Sequence, residues 1–213
     1  MKNVAKRSII IAATAAALVA TTGGAGVAGQ VTGPEVSPRS AEQAILLHDG
    51  AGDVWTYSDT TIGSTHAMRA DADVLRGRVV AGTQALRIRM TYDDLRLQAT
   101  QWYRVTVRTP DATIPFVLEA KKGHWHGIAY LVEAGEWVAA PTVGHHIDYA
   151  GEVVTLRIPY VALGSPASVQ VRLRSDLGVG DGTFFTDNPM THGPRSAFTA
   201  PLTLPAPPPP TTS

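Results

Sequence analysis

Through the middle of the chain apolar and polar residues alternate one for one, the period of a strand with one buried and one wet face. In residues 84–92, Leu86, Ile88 and Met90 alternate with Arg87, Arg89 and Thr91; in residues 102–109, Tyr103, Val105 and Val107 alternate with Arg104, Thr106 and Arg108. The same beat returns at Phe116, Leu118 and Ala120, at Val154, Leu156 and Ile158, and at Val169, Val171 and Leu173. Residues 44–48, 75–80, 125–132, 136–140 and 145–149 read as further strands. Turn-forming clusters part them: Ala81-Gly82-Thr83, Thr109-Pro110-Asp111, Ala134-Gly135-Glu136, Gly151-Glu152 and Gly164-Ser165-Pro166. About nine or ten strands at this spacing predict an all-β fold, a two-layer antiparallel β-sandwich of jelly-roll-like form, with an eight-stranded barrel as the alternative. Short helical turns are predicted at 92–97 and 160–163, where Asp93 and Pro159 would open them.

The two ends break the pattern. Lys2, Lys6 and Arg7 precede a small and apolar run of twelve residues, Ile9 to Ala20, and then the small-residue boundary Gly26-Val27-Ala28. That is the form of a secretory signal peptide over residues 1–28, and the run is shorter than the ~20 residues of a membrane-spanning helix. The expectation is a secreted chain, extracellular or associated with the cell envelope, with no stable membrane insertion after signal cleavage. Residues 29–40 read as a flexible linker, 41–204 as one β-sandwich domain, and the Pro-rich 205–213 as an extended, disordered tail.

Charge and cysteine usage narrow the function classes. Acidic and basic residues balance at 18 each, but three of the basic ones lie in the leader and leave the remainder at −3. Nucleic acid is therefore not an expected partner. With no cysteine, neither a disulfide nor a thiolate metal site supports the fold.

The stretch Val153-Val154-Thr155-Leu156-Arg157-Ile158-Pro159-Tyr160-Val161-Ala162-Leu163-Gly164 carries a strand into a proline and a Leu-Gly corner. It resembles the corner that recurs in sandwiches similar to family-nine carbohydrate-binding modules and DOMON domains. From Gly52-Asp53-Val54-Trp55 through that corner to Thr186-Asp187-Asn188, the chain is also similar to a group of actinobacterial exported proteins of uncharacterised function. The resemblance covers most of the folded unit, implies a jelly-roll-like fold and leaves the activity open. Members of that group carry cysteines near the corner and in the preceding strand; here Ala and Val stand there, so no disulfide is carried over. DOMON domains bind haem or sugars, yet no Met and His pair is placed for haem, and no cofactor is implied.

Candidate chemistry is sparse. His124 and His126 would share one strand face, the geometry of a two-His metal site, with Asp148 or His146 as a third ligand; the bland reading is exposed or hydrogen-bonded histidines. Acids gather in turns, at Asp49 and Asp53, Asp71 and Asp73, Asp93 and Asp94, Asp176, Asp181 and Asp187. Residues 176–182 with Asp187-Asn188 offer oxygen ligands for calcium but match no EF-hand loop, and Asp is in any case a common turn residue. Hydrolase motifs such as Gly-x-Ser-x-Gly and His-Glu-x-x-His are absent, though a paired-carboxylate site assembled from distant loops would leave no such motif.

Aromatics and arginines remain. Trp102, Trp125 and Trp137 lie on or beside strands, where an exposed indole would stack on a sugar; Trp55 reads as core. Nine of the fourteen arginines fall on wet strand positions: Arg76, Arg78, Arg87, Arg89, Arg104, Arg108, Arg157, Arg172 and Arg174. Glu119 is almost the only acid among them. Either these arginines form one cationic sheet face for an anionic polymer, or they are divided between the two outer faces and keep both soluble. The function expected is an exported, non-catalytic binding module for an extracellular glycan or anionic cell-wall polymer. Its binding residues would be Arg87, Arg89, Arg104, Arg108, Arg172 and Arg174 with Trp102 and Trp125. The alternatives are a secreted hydrolase with loop carboxylates and a structural or protein-binding module.

Overall fold

The alternation becomes strand pairing in the structure, a computed structural model that describes residues 42–57, 62–65, 69–180, 183–191 and 195–205. The leader, the linker and all but the first residue of the Pro-rich tail lie outside these residues. Every described residue belongs to one unit, Arg39–Ser213. Its strands are β1 (Gln43–His48), β2 (Trp55–Tyr57), β3 (Ile62–Thr65), β4 (Val74–Ala81), β5 (Ala85–Tyr92), β6 (Thr100–Arg108) and β7 (Thr113–Lys121). There follow β8 (His124–Glu133), β9 (Glu136–Ala139), β10 (Gly144–Asp148), β11 (Val153–Pro159), β12 (Ser168–Gly178), β13 (Phe184–Asp187) and β14 (Leu202–Thr203). Among the described residues no helix is long and apolar enough to cross a membrane.

The strands form two antiparallel sheets and no closed barrel, which decides for the sandwich. One sheet has five strands in the order β1-β4-β5-β11-β10; the other has nine, with β3-β2-β13-β12-β6-β7-β8-β9 in sequence and β14 paired to the start of β12. Leu86, Ile88, Met90, Val154, Leu156 and Ile158 of the first sheet meet Tyr103, Val105, Val107, Val169, Val171 and Leu173 of the second in one buried cluster. These are the apolar members of the alternation, and their burial removes from water the face that the pattern marked. The layers come close at Gly77, where an added Cβ would lie 2.9 Å from Pro189 and 3.1 Å from Leu173. Elsewhere between the layers Tyr92 and Tyr103 pack edge to face, 5.7 Å between centroids.

All ten strands read from the sequence are present; β2, β3, β13 and β14, of two to four residues each, are additions. The turn predicted at 160–163 is a 3-10 turn closed by Gly164 at φ 75°. No helical turn forms at 92–97. There the Asp93 and Asp94 amides donate to the carbonyls of Asp73 and Ala70, so the chain is held by tertiary hydrogen bonds in place of its own helix ladder.

The β8–β9 connection is a two-residue hairpin turn in which Ala134 has φ 51° and Gly135 φ 89°. Both signs are those of a type I′ turn, which suits the twist of the strands but burdens an L-residue with a Cβ. Ala134→Asn is expected to raise stability by about 0.5–1 kcal/mol, read as a higher urea midpoint with an unchanged slope.

Candidate functional site

Strand pairing sorts the nine wet-face arginines into two groups. On the outer face of the five-stranded sheet, β4 contributes Arg76 and Arg78, β5 Arg87 and Arg89, and β11 Arg157, all exposed. Register sets like charges directly opposite one another, Arg78 against Arg89 and Arg87 against Arg157. Such facing pairs are destabilising in a sheet. Among the described residues the one ion pair to these five is Arg87–Glu42 at 3.6 Å, with both side chains about half exposed and therefore weakly coupled.

A groove of about 450 Å³ crosses this face and is lined by Arg78, Arg87, Arg89, Arg157, Glu42 and His146, among others. It traverses β4, β5, β11 and β10, which at ~4.8 Å per strand is a span of roughly 14 Å. Val80, 7 % exposed, lies between the arginines as an apolar floor, and Leu46, opposite Arg78 on β1, is 63 % exposed. Chemically this is a strip of forked donors over a partly apolar floor, suited to several anionic groups in a row rather than to one.

The other four arginines, on the outer face of the nine-stranded sheet, all have partners. Arg104 and Arg174 converge on Asp176, a carboxylate only 1 % exposed; Arg104 bonds its Oδ2, and Arg174 reaches its Oδ1 at 2.6 Å. Arg108 lies 3.7 Å over the ring of Phe198 and Arg172 5.0 Å from the same ring. The single cationic face therefore does not include Arg104, Arg108, Arg172 or Arg174. They serve the other layer, because β6 and β12 pair with each other and not with β5.

Trp102 and Trp137 are similarly engaged. Trp102 donates through Nε1 to Glu119 at 3.1 Å, packs edge-on against Phe184 at 5.5 Å, and covers Gly178 so closely that an added Cβ would sit 2.8 Å from its ring. Trp125 is half-buried on β8, and its carbonyl accepts from Tyr149 Oη at 2.9 Å. Trp137, 38 % exposed, leans on Tyr130 at 5.4 Å. Glu119 and Asp176, which flank Trp102 on neighbouring strands, are each held by cations, Glu119 by Lys121 at 2.7 Å.

The two-His site at His124 and His126 does not assemble. Both are exposed on β8 with Trp125 between them, but among the described residues no third ligand gathers there. His145, exposed on β10, instead has its ring nitrogens 3.2 Å from the carbonyls of Val143 and Gly127. Asp176, nominated for calcium, is the acid bound by two arginines; Asp181 lies outside the described residues.

A different acidic group forms where strands of both sheets end. One carboxylate oxygen from each of Asp49, Asp53 and Asp187 lies within 4.8 Å of the others. No spacing in the sequence signals it, since its members follow β1, precede β2 and close β13.

Comparison of the chain with protein-family models, with curated proteins and with solved structures gave no match.

Proposed function

We propose that this chain is an exported, non-catalytic binding module whose five-stranded sheet face takes an anionic polymer of the cell envelope, such as a polyuronate or a teichoic acid. The observation that carries this reading is the pair of directly opposed arginine couples, Arg78–Arg89 and Arg87–Arg157, on a grooved face with Glu42 as its one ion-pair partner among the described residues. The contrast with the other sheet supports it, for there each arginine meets a carboxylate or an aromatic ring. Arginines kept merely for solubility gain nothing from facing one another; a polyanion threaded across the strands relieves that repulsion and fills the guanidinium forks. The length of the groove favours a chain of charges over a single small ion.

Binding to polygalacturonate and to a poly(glycerol phosphate) teichoic acid, measured by co-sedimentation at rising salt, tests this reading. The parent should bind at low ionic strength and weaken steadily as screening shortens the reach of its charges to about 10 Å at 0.1 M. Arg78→Glu, Arg89→Glu, Arg157→Glu in one chain should lose at least about tenfold in affinity, while Arg108→Gln, Arg172→Gln on the opposite sheet binds like the parent. A parent indifferent to both polymers, or equal losses in the two variants, would end the proposal.

A further inference from the structure

We infer that Asp49, Asp53 and Asp187, with Asp73 beside them, form a binding site for a divalent cation of calcium type that ties the two sheets together at one end of the sandwich. This site is independent of the arginine face and stands whether or not that face binds a polymer.

The geometry is the first support. Calcium takes oxygen ligands at 2.3–2.6 Å, so two oxygens on opposite sides of the ion lie roughly 5 Å apart. The three carboxylate oxygens, mutually within 4.8 Å, fit inside one such sphere. The donor set is oxygen alone, which suits a hard cation and offers zinc or copper none of the nitrogen or sulfur they prefer.

Asp73 gives independent support. It is 2 % exposed; its Oδ2 accepts the Gly52 amide at 2.5 Å, while its Oδ1 is sealed from solvent with no hydrogen-bond donor. Among the acids around it, Asp53 of the trio presses most strongly on its charge. A buried carboxylate oxygen without a donor is costly unless something positive completes it. Asp187 is as deeply buried, and its Oδ2 accepts the Val74 amide at 2.6 Å, which places that acid against the residue next to Asp73. Asp187 so placed brings a buried carboxylate within 4.8 Å of those of Asp49 and Asp53. A cation among these groups relieves desolvation and mutual repulsion together.

The placement says what the ion would do. Asp49 follows β1 and Asp73 precedes β4, both strands of the five-stranded sheet; Asp53 precedes β2 and Asp187 closes β13, both strands of the other. Coordination joins ends of both layers in a chain that has no disulfide to do so.

The test uses the purified full chain freed of metal with chelator. Titration calorimetry with calcium chloride should show one ion per chain with a dissociation constant of about 10⁻⁴ M or tighter, and magnesium should bind at least about tenfold more weakly because it demands shorter, octahedral contacts. Calcium at about a hundred times that constant should raise the melting temperature by about 5–10 °C over the value in EGTA. Asp53→Asn and Asp187→Asn should each weaken calcium at least about tenfold, yet in EGTA melt at or above the parent, because each removes a like charge. Asp53 is half-buried, so its variant decides the matter if Asp187→Asn does not fold. Asp111→Asn, in an exposed turn, should bind like the parent. Identical melting of the parent in calcium and EGTA, equal affinity for magnesium, or variants that keep the parent's calcium response would overturn the inference.

Discussion

Ile88→Asp and Leu156→Asp are each expected to abolish the folded state. The two residues are 1 % and 2 % exposed and lie directly opposite one another on β5 and β11, with their side chains in the layer between the sheets. An aspartate at either place loses the apolar contacts and sets a carboxyl where no donor or cation waits. The transfer term alone is about 2–3 kcal/mol, and the uncompensated polar group adds several more. Domains of this size are stable by about 5–15 kcal/mol in all, so the sum removes most or all of it. Circular dichroism and the dispersion of amide proton resonances check this, and a cooperative melt at the parent's temperature would show that the two positions do not face the core. Ile88→Val, which leaves the cavity of one methylene, should by contrast cost only about 0.5–1.5 kcal/mol.

The long strands were legible because burial writes itself into them at period two. In β5 the residues read as apolar are those with almost no exposure, and Arg87 and Arg89 are exposed. β2 and β13 escaped because three or four residues hold too little alternation to count; Trp55-Thr56-Tyr57 and Phe184-Phe185-Thr186-Asp187 form strands through pairing with each other across the chain. The turn at 92–97 failed for a related reason, since the carbonyls that satisfy Asp93 and Asp94 come from residues 70 and 73.

The sites were legible in part only. That arginines occupy wet faces follows from local alternation, and this much the sequence carries. Which of the two layers each strand joins depends on pairings between residues far apart, such as Gln170↔Arg108 through Gly178↔Thr100, and no local signal encodes them. Hence Arg87 and Arg89 acquire Arg76, Arg78 and Arg157 as neighbours, while Arg104 and Arg174 meet Asp176. The same limit hid the group of Asp49, Asp53 and Asp187, three ordinary turn or strand-end acids until the fold draws them together.

Charge reversal separates the two arginine faces by stability as well as by binding. Arg89→Glu is expected to leave the unfolding midpoint within about 0.5 kcal/mol of the parent or to raise it, because Arg89 is exposed and faces Arg78 across β4 and β5. Arg104→Glu is expected to cost about 2–4 kcal/mol, since it puts a second carboxylate against Asp176, which is sealed from water and depends on cations at both oxygens. Arg174 remains to hold Oδ1, which keeps the loss below that of an acid stripped of both partners. Arg104→Gln removes the charge without adding another and should fall between the two. Asp176→Asn should also be milder than Arg104→Glu, because the two guanidinium groups it releases are about one-third exposed and can turn to water. Urea denaturation of the four variants gives the ranking directly. If Arg89→Glu and Arg104→Glu lose equal stability, then Asp176 is not the anchor of its sheet face, and the division of the arginines into a bound set and a facing set has no energetic content.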